Sequence, residues 1–358
     1  MRISPITLAA FTLLGASSTV QAQSNVSIFG ILDTGVSHYS VSGGSSMNVL
    51  SNHGTQLSRL GIRAIEDLGG GLKATAWLEA PITVDDGTAS GLNFSRRSTI
   101  GLSGAWGELR LGRDFTPTYL NDGSFDPFNA TGVGTQAIVQ ARASSSAPGR
   151  AAFAPGLGLN NPLYLRTSNN LTYFLPALGG LYGNAQYAFH EQQNGHQGRY
   201  LGMRLGYKNE HLNVAVSAGK ANGAQPATAA APDITTYSLA GSYTFAQATV
   251  MAHFGRDRID SAAGRYHLTG FMVGTTIPLG HGHAKLAYSQ ARVNWAGSPT
   301  TRKLAVGYVH DLSKRTQLYA TLAHMTNRGG AALTVAPSLP GLANASSTGM
   351  DLGITHRF

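Results

Sequence analysis

The sequence has no cysteine and few charged residues. The absence of cysteine among its 358 residues excludes disulfide scaffolds, zinc–thiolate sites and cysteine nucleophiles. Charged residues make up 12% of the chain, against about 25% in an average soluble domain. After an amino-terminal leader, no apolar run approaches the roughly 20 residues that a membrane-spanning helix needs. An ordinary cytosolic protein and a helical membrane protein are both disfavoured.

The chain is rich in glycine and in apolar residues. Its 45 glycines follow no three-residue period, which excludes collagen. The 42% of hydrophobic residues disfavours intrinsic disorder. No proline-rich or charge-rich linker divides the sequence, so a single large architecture is expected.

Residues 1–22 predict a secretory signal peptide. Arg2 supplies the charged start, an apolar stretch follows from Ile6 to Gly15, and a small-residue cleavage site ends at Ala22. Cleavage after Ala22 makes residues 23–358 the mature domain. We therefore expect an exported protein, either soluble or an outer-membrane β-barrel.

The main signal in the mature chain is the alternation of polar and apolar residues. Leu60 and Ile62 alternate with Arg59 and Arg63, and a second alternating run follows the glycine turn at 69–71. A strand with lipid on one side and water on the other requires this period of two. A soluble β-sandwich is disfavoured because the second face carries Leu, Ile and Val where Lys and Glu would be expected.

Sixteen segments show strand-like patterns. They lie near residues 25–38, 56–66, 72–82, 93–103, 107–114, 163–175, 181–191, 199–208, 211–219, 235–245, 247–257, 266–277, 283–294, 302–310, 316–327 and 348–358. The number is even and short connections alternate with long ones, as in bacterial outer-membrane barrels. The predicted fold is all-β, a transmembrane antiparallel β-barrel of 16 strands.

Five sequence blocks follow one another along this pattern. They are VSIFGILDTG at 26–35, SRLGIRAIEDLGGGLKATAWLE at 58–79, RRSTIGLSGAWGELRLGRDFTP at 96–117, NNLTY at 169–173 and LGITHRF at 352–358. In this order they resemble the general porins of β-proteobacteria. The resemblance implies a location in the bacterial outer membrane among lipid and lipopolysaccharide, and a homotrimer with contacts near the terminal strands. It also implies a third loop folded into each pore, and recognition of the final Phe358 by the barrel-assembly machinery.

Strand parity places basic residues on the inner face of the barrel. The inward set includes Arg59 and Arg97 at mid-height, Arg166 slightly higher, and Arg63. Glu79 lies at the height of Arg59 and Arg97, and we expect it to pair with one of them. Arg96 matches the arginine position of the porin family although parity points Arg97 inward, so the choice between these two stays open.

The segment 115–162 is far longer than an ordinary loop and predicts a constriction loop inside the barrel. Asp122 and Asp126 near its tip would then face the arginines across the narrowest section. The second half of the segment carries two arginines and no acid. Because cations outnumber acids at this level, we expect passive diffusion of small solutes with a mild anion preference.

Several alternatives stay open. The arginines could hold one particular anion or carboxylate in a substrate-specific channel, or they could hold the loop in place by pairing with its acids. An outer-membrane hydrolase is disfavoured because no G-x-S-x-G motif is present. His281 and His283 lack a third metal ligand, and basic residues that alternate into a lumen do not form a nucleic-acid patch. We expect no catalytic residue, metal site, cofactor or nucleic-acid partner.

Overall fold

The structure is a computed structural model that describes residues 25–87, 92–142, 164–191, 193, 195–223, 232–261 and 264–358. The predicted signal peptide lies outside the described residues, as do residues 143–163 of the predicted constriction loop. The strands are β1 Asn25–Val41, β2 Ser46–Ser51, β3 Arg59–Gly69, β4 Leu72–Pro81, β5 Arg97–Gly104, β6 Gly107–Phe115, β7 Arg166–Phe174, β8 Leu181–Ala188, β9 Tyr200–Lys208, β10 Leu212–Ala221, β11 Asp233–Phe245, β12 Ala248–Ser261, β13 Gly264–Leu279, β14 Gly282–Val293, β15 Thr300–Asp311, β16 Thr316–Arg328 and β17 Ser347–Arg357. Two helices, α1 Pro117–Ser124 and α2 Ala137–Arg142, lie between β6 and β7.

All strands form one antiparallel sheet that closes on itself. The last strand, β17, pairs with β1 in the register Gly35 to Gly353, so the sheet has no free edge. The strands β2 and β3 both pair with the other side of β1, one along its upper half and one along its lower half. They act as one interrupted strand, and the predicted barrel of 16 strands is confirmed.

Short turns connect the strands at one end of the barrel. The turn from β3 to β4 uses positive backbone φ angles at Gly69, Gly70 and Gly71, which residues without a Cβ adopt without strain. The opposite end carries the long connections, with two exceptions. Residues 42–45 separate β1 from β2, and residues 262–263 separate β12 from β13, because β12 extends four residues and β13 two residues beyond the predicted ends.

The two faces of the sheet differ in polarity, as the alternation predicts. Leu205, Val216 and Leu239 on neighbouring strands are exposed on the outer face, whereas Ser217 and Ser238 are buried on the inner face. Within the described ranges, neither helix is long and apolar enough to cross a membrane.

The described part of the loop after β6 packs inside the barrel. Helix α1 begins at the N-cap Thr116, whose hydroxyl accepts the Tyr119 amide proton, and Pro117 occupies its first turn. The side-chain amide of Asn121 donates to Ser238 Oγ at 2.9 Å, and the backbone amide of Ala137 donates to Ser289 Oγ at 2.9 Å. Both serines face inward from the wall, so residues 116–142 lie against its inner side.

A second connection, residues 329–346, also folds inward over the barrel. Ala331, Leu333 and Val335 are buried, and the Val335 amide donates to Ser347 Oγ at 3.1 Å. Together with Val133 and other residues of the α1–α2 loop, they form an apolar cluster within the barrel. Sequence alternation did not predict this inner packing, because it reports on strands and not on loops.

Candidate pore constriction

The sequence-predicted basic residues lie on one stretch of the inner wall, β3 to β7. The ladder aligns Gly61 with Glu79 and Glu79 with Arg97, so Arg59 and Arg63 of β3 flank the same level. We call the inward set the arginine wall. It comprises Arg59, Arg63, Arg96, Arg97, Arg110 and Arg166.

Glu79 is the acid at the centre of the arginine wall. Its Oε2 lies 3.8 Å from Nε of Arg59 and 3.5 Å from Nε of Arg96. Its Oε1 accepts a hydrogen bond of 2.8 Å from the indole N–H of Trp77. One carboxylate therefore serves two guanidinium groups, which leaves a positive excess at this position.

Arg96 and Arg97 both join the arginine wall. Arg97 keeps the inward parity of β5, and its Nε lies 3.6 Å from Oδ2 of Asp114. Arg96 directly precedes β5, is 7% exposed and reaches Glu79 from there. The alternatives that parity left open are thus not exclusive, because the strand begins only after Arg96.

Trp77 is a central residue that the sequence reasoning missed. The guanidinium carbon of Arg97 lies 4.0 Å from its ring centroid, and that of Arg63 lies 4.8 Å away. Phe29 meets the same indole edge-on at 5.6 Å. Trp77 has inward parity because it lies between the outward residues Ala76 and Leu78. This parity could have identified it from the sequence. Cation–π contacts hold both arginines flat against the wall.

Arg166, at the start of β7, has few polar partners. It is 8% exposed, and its guanidinium carbon lies 4.1 Å from the Phe115 ring centroid. Its Nε and Nη2 have no hydrogen-bond partner within the described residues, and the same holds for Nε of Arg63. Buried cationic donors without acceptors are chemically suited to receive an anion.

Asp122, the first predicted loop acid, lies away from the arginine wall. It is fully buried against β12, where Nη1 of Arg142 donates to it at 2.7 Å and Nε2 of His253 lies 2.6 Å away. The Tyr164 hydroxyl adds a hydrogen bond of 2.7 Å, and Nε of Arg142 also donates to Asp257 at 2.9 Å. The expectation that Asp122 faces the arginine wall was wrong, because Asp122 pairs with Arg142 of its own loop.

The electrostatics of Asp122 follow from this pairing. Burial alone would raise the pKa of the carboxyl, but the Arg142 guanidinium and His253 outweigh burial and hold the pKa well below its usual value. Asp122 is therefore ionised and compensated locally. It anchors the loop to the wall and contributes little field across the lumen.

Asp126, the second predicted loop acid, is also turned away from the arginine wall. Its carboxylate accepts the backbone N–H groups of Phe128 at 2.9 Å and Gln136 at 3.1 Å. Burial raises the pKa of Asp126, and the ammonium groups of Lys285 and Lys303 act in the opposite direction. Both lysines are buried beneath the loop.

The arginine wall thus faces a loop whose described charges are compensated. The wall itself holds six guanidinium groups and three carboxylates, those of Glu79, Glu108 and Asp114. No group of three or more His, Cys, Asp or Glu side chains suited to a metal ion occurs in the described ranges.

A family model described as Gram-negative porin matches residues 7–330. Outer membrane porin protein 32 of Delftia acidovorans is 37% identical over 368 residues, covering 98% of this chain and 99% of the relative.

Solved structures give the same picture. The anion-selective porin from Comamonas acidovorans has a TM-score of 0.83 at 36% identity, covering 94% of this chain and 100% of its own. The trimer form of OmpT, an outer membrane protein of Vibrio cholerae, has a TM-score of 0.65 at 15% identity, with coverage of 94% and 99%. The second likeness concerns the fold alone.

Proposed function

Because this chain belongs to the Gram-negative porin family and is an outer-membrane channel protein, we propose that it conducts small hydrophilic solutes passively with a preference for anions. The arginine wall carries this proposal. Fixed positive charge in a narrow passage between low-dielectric walls raises the local concentration of anions. Since three carboxylates offset part of the charge, the preference is expected to be mild.

The loop opposite the arginine wall supports this reading. A strong acidic face would bind cations and give a transverse field of balanced sign. Here the two candidate acids, Asp122 and Asp126, are engaged by cations and N–H groups of the loop and the far wall. The positive excess at β3 to β7 is therefore not cancelled by them.

A purely structural role of the arginines, holding the loop by pairing with its acids, is less favoured. In the described part of the chain, the ion pairs of Arg59, Arg96 and Arg97 end on Glu79 and Asp114. Both acids belong to barrel strands. The name of the Comamonas acidovorans relative, an anion-selective porin, supports the same conclusion.

Single-channel recording in a planar bilayer tests this function. With a tenfold KCl gradient across mature, refolded protein, we expect stepwise conductance and a reversal potential of the sign for chloride preference. A reversal potential of the cation sign would overturn the anion preference while leaving the channel. Failure of correctly folded barrels to conduct would overturn the channel function itself.

We also propose that the subunits assemble as a homotrimer through one wall of the barrel. Aromatic side chains mark membrane interfaces on lipid-facing walls. Tyr207 on β9, Tyr243 on β11 and Tyr288 on β14 are exposed in this way. By contrast, the described residues place one Phe, Tyr or Trp, Phe358 directly after β17, on the continuous outward wall of β16, β17, β1, β3, β4 and β5. Its ring covers Gly30 of β1. A wall with so few aromatic side chains fits packing against another subunit.

A matched pair of substitutions tests the trimer wall. Val36 on β1 and Val216 on β10 are both exposed valines on the outer face, 63% and 50% respectively. Val36→Trp is expected to overpack the interface, at a cost of about 1–3 kcal/mol. Light scattering in detergent should then show monomers or a lower dissociation temperature. Val216→Trp should remain trimeric, and equal behaviour of the two variants would place the interface elsewhere.

A further inference from the structure

We propose that the outer vestibule of the channel is a binding site for organic anions with an apolar body, of the class of aromatic monocarboxylates. This inference rests on the proposed anion-conducting function and names a solute class for it. Three features support it: a cavity, its apolar lining and the cationic group next to its floor.

The cavity lies between the β2 hairpin, the α1–α2 loop and residues 335–338. Its volume is about 520 Å³, within the usual range of about 300–1,000 Å³ for small-molecule sites. A benzoate-sized solute fits into this space and leaves room for water.

The lining of the cavity is unusually apolar for a water-filled passage. Its side chains include Met47, Val49, Leu57, Leu165, Val335 and Pro337. Met47, Val49, Leu57 and Leu165 are only partly buried, so they present apolar surface to water. Covering such surface is favourable in proportion to the area removed from water. A wholly hydrophilic solute gains nothing from this lining, whereas a solute with a hydrocarbon body does.

The cationic group, Arg166, adjoins the floor of the cavity at Tyr119 and Leu165, which both line it. The Tyr119 and Phe115 rings stack with their centroids 5.1 Å apart. The guanidinium carbon of Arg166 lies 4.1 Å from the Phe115 ring centroid. Burial raises the pKa of the Tyr119 phenol, and the charges of Arg166 and Arg96 oppose that rise. The Arg166 guanidinium therefore lies one ring behind the cavity floor at Tyr119.

Arg166 has the donors that a carboxylate would fill. It is more than nine-tenths buried, yet its Nε and Nη2 have no hydrogen-bond partner within the described residues. Charge-assisted hydrogen bonds from a guanidinium to a carboxylate are among the strongest hydrogen bonds in proteins. The one carboxylate in the lining, Asp85, is engaged by the Asn52 side-chain amide at 2.5 Å. An inorganic anion would use only Arg166, and a neutral aromatic solute only the apolar lining.

Three small probes separate these contributions in planar-bilayer recordings of wild-type channels in KCl. Benzoate has the charge and the ring, acetate has the charge alone, and benzyl alcohol has the ring alone. Burial of a phenyl ring predicts that benzoate blocks half of the chloride current at a concentration at least about tenfold below that of acetate. Benzyl alcohol is expected to block less than benzoate at every concentration.

A lining variant and a matched control localise the effect. Leu57→Asn should raise the half-blocking concentration of benzoate severalfold towards that of acetate. Leu342→Asn makes the same change at an exposed leucine of the inward loop that does not line the cavity, and should leave benzoate block as in wild type. Equal effects of both variants would overturn the assignment to this cavity.

The outcomes separate this inference from the function on which it rests. Anion-selective channels on which benzoate and acetate act alike would overturn the binding site alone. A cation-selective wild-type channel would overturn the proposed selectivity, whatever the probes do. Stronger block by benzoate in an anion-selective channel supports both.

Discussion

Replacing Arg142 with methionine is expected to lower the stability of the barrel more than any other single substitution considered for this chain. The change leaves Asp122 and Asp257 buried without their shared cation. Removing one partner of a buried ion pair typically costs about 3–5 kcal/mol. We expect a clearly lower midpoint of urea unfolding, and a fluctuating open-channel current because the loop loses its anchor.

A control and a rescue sharpen this prediction. Arg302 on β15 is exposed and bonds only to Gln290 among the described contacts, so Arg302→Met should leave both readouts near wild type. Adding Asp122→Asn and Asp257→Asn to Arg142→Met removes the uncompensated charges and should recover part of the lost stability. Wild-type stability and a quiet current in Arg142→Met would show that this network does not hold the loop.

Reversing two charges of the arginine wall is expected to invert the selectivity of the channel. Arg59→Glu with Arg97→Glu converts the balance on this wall from six cations and three acids to four cations and five acids. A neck with net negative charge concentrates cations, so the reversal potential in a KCl gradient should change sign.

The matched control has the same change of charge far from the constriction. Lys314→Glu with Arg315→Glu alters two exposed residues of the turn between β15 and β16. Its reversal potential should keep the anion sign. If the wall variant also kept that sign, the arginines would not set the selectivity, and their role would be structural.

The alternating strands made most of the fold predictable. Leu60 and Ile62 against Arg59 and Arg63 fixed both the strand and its orientation, because a strand between lipid and water has only one consistent parity. The interruption between β2 and β3 was not predicted. There the chain leaves the sheet so that the N–H groups of Gly54, Thr55 and Gln56 can bind the buried Asp33 carboxylate. No local pattern encodes that pairing.

The site residues on strands were predictable from the sequence, and those on the long loop were not. Parity correctly placed Arg59, Arg97 and Glu79 on one inner face, and the pairing of Glu79 with Arg59 follows from their equal height. Parity says nothing about where a long loop settles. The bond between Asp122 and Arg142 joins residues 20 positions apart in one loop, and its partners on β12 become neighbours only in the closed barrel. Sequence reasoning therefore assigned the loop acids to the wrong wall.

The central claim is that fixed positive charge on the arginine wall selects anions, and its salt dependence is the most direct test. Screening shortens the reach of these charges from about 10 Å at 0.1 M salt to about 3 Å at 1 M. At a constant tenfold KCl ratio, the reversal potential of wild-type channels should be larger at 0.01 M against 0.1 M than at 0.1 M against 1 M, with the anion sign in both. An equal potential in the two pairs, or a cation sign at low salt, would contradict the account.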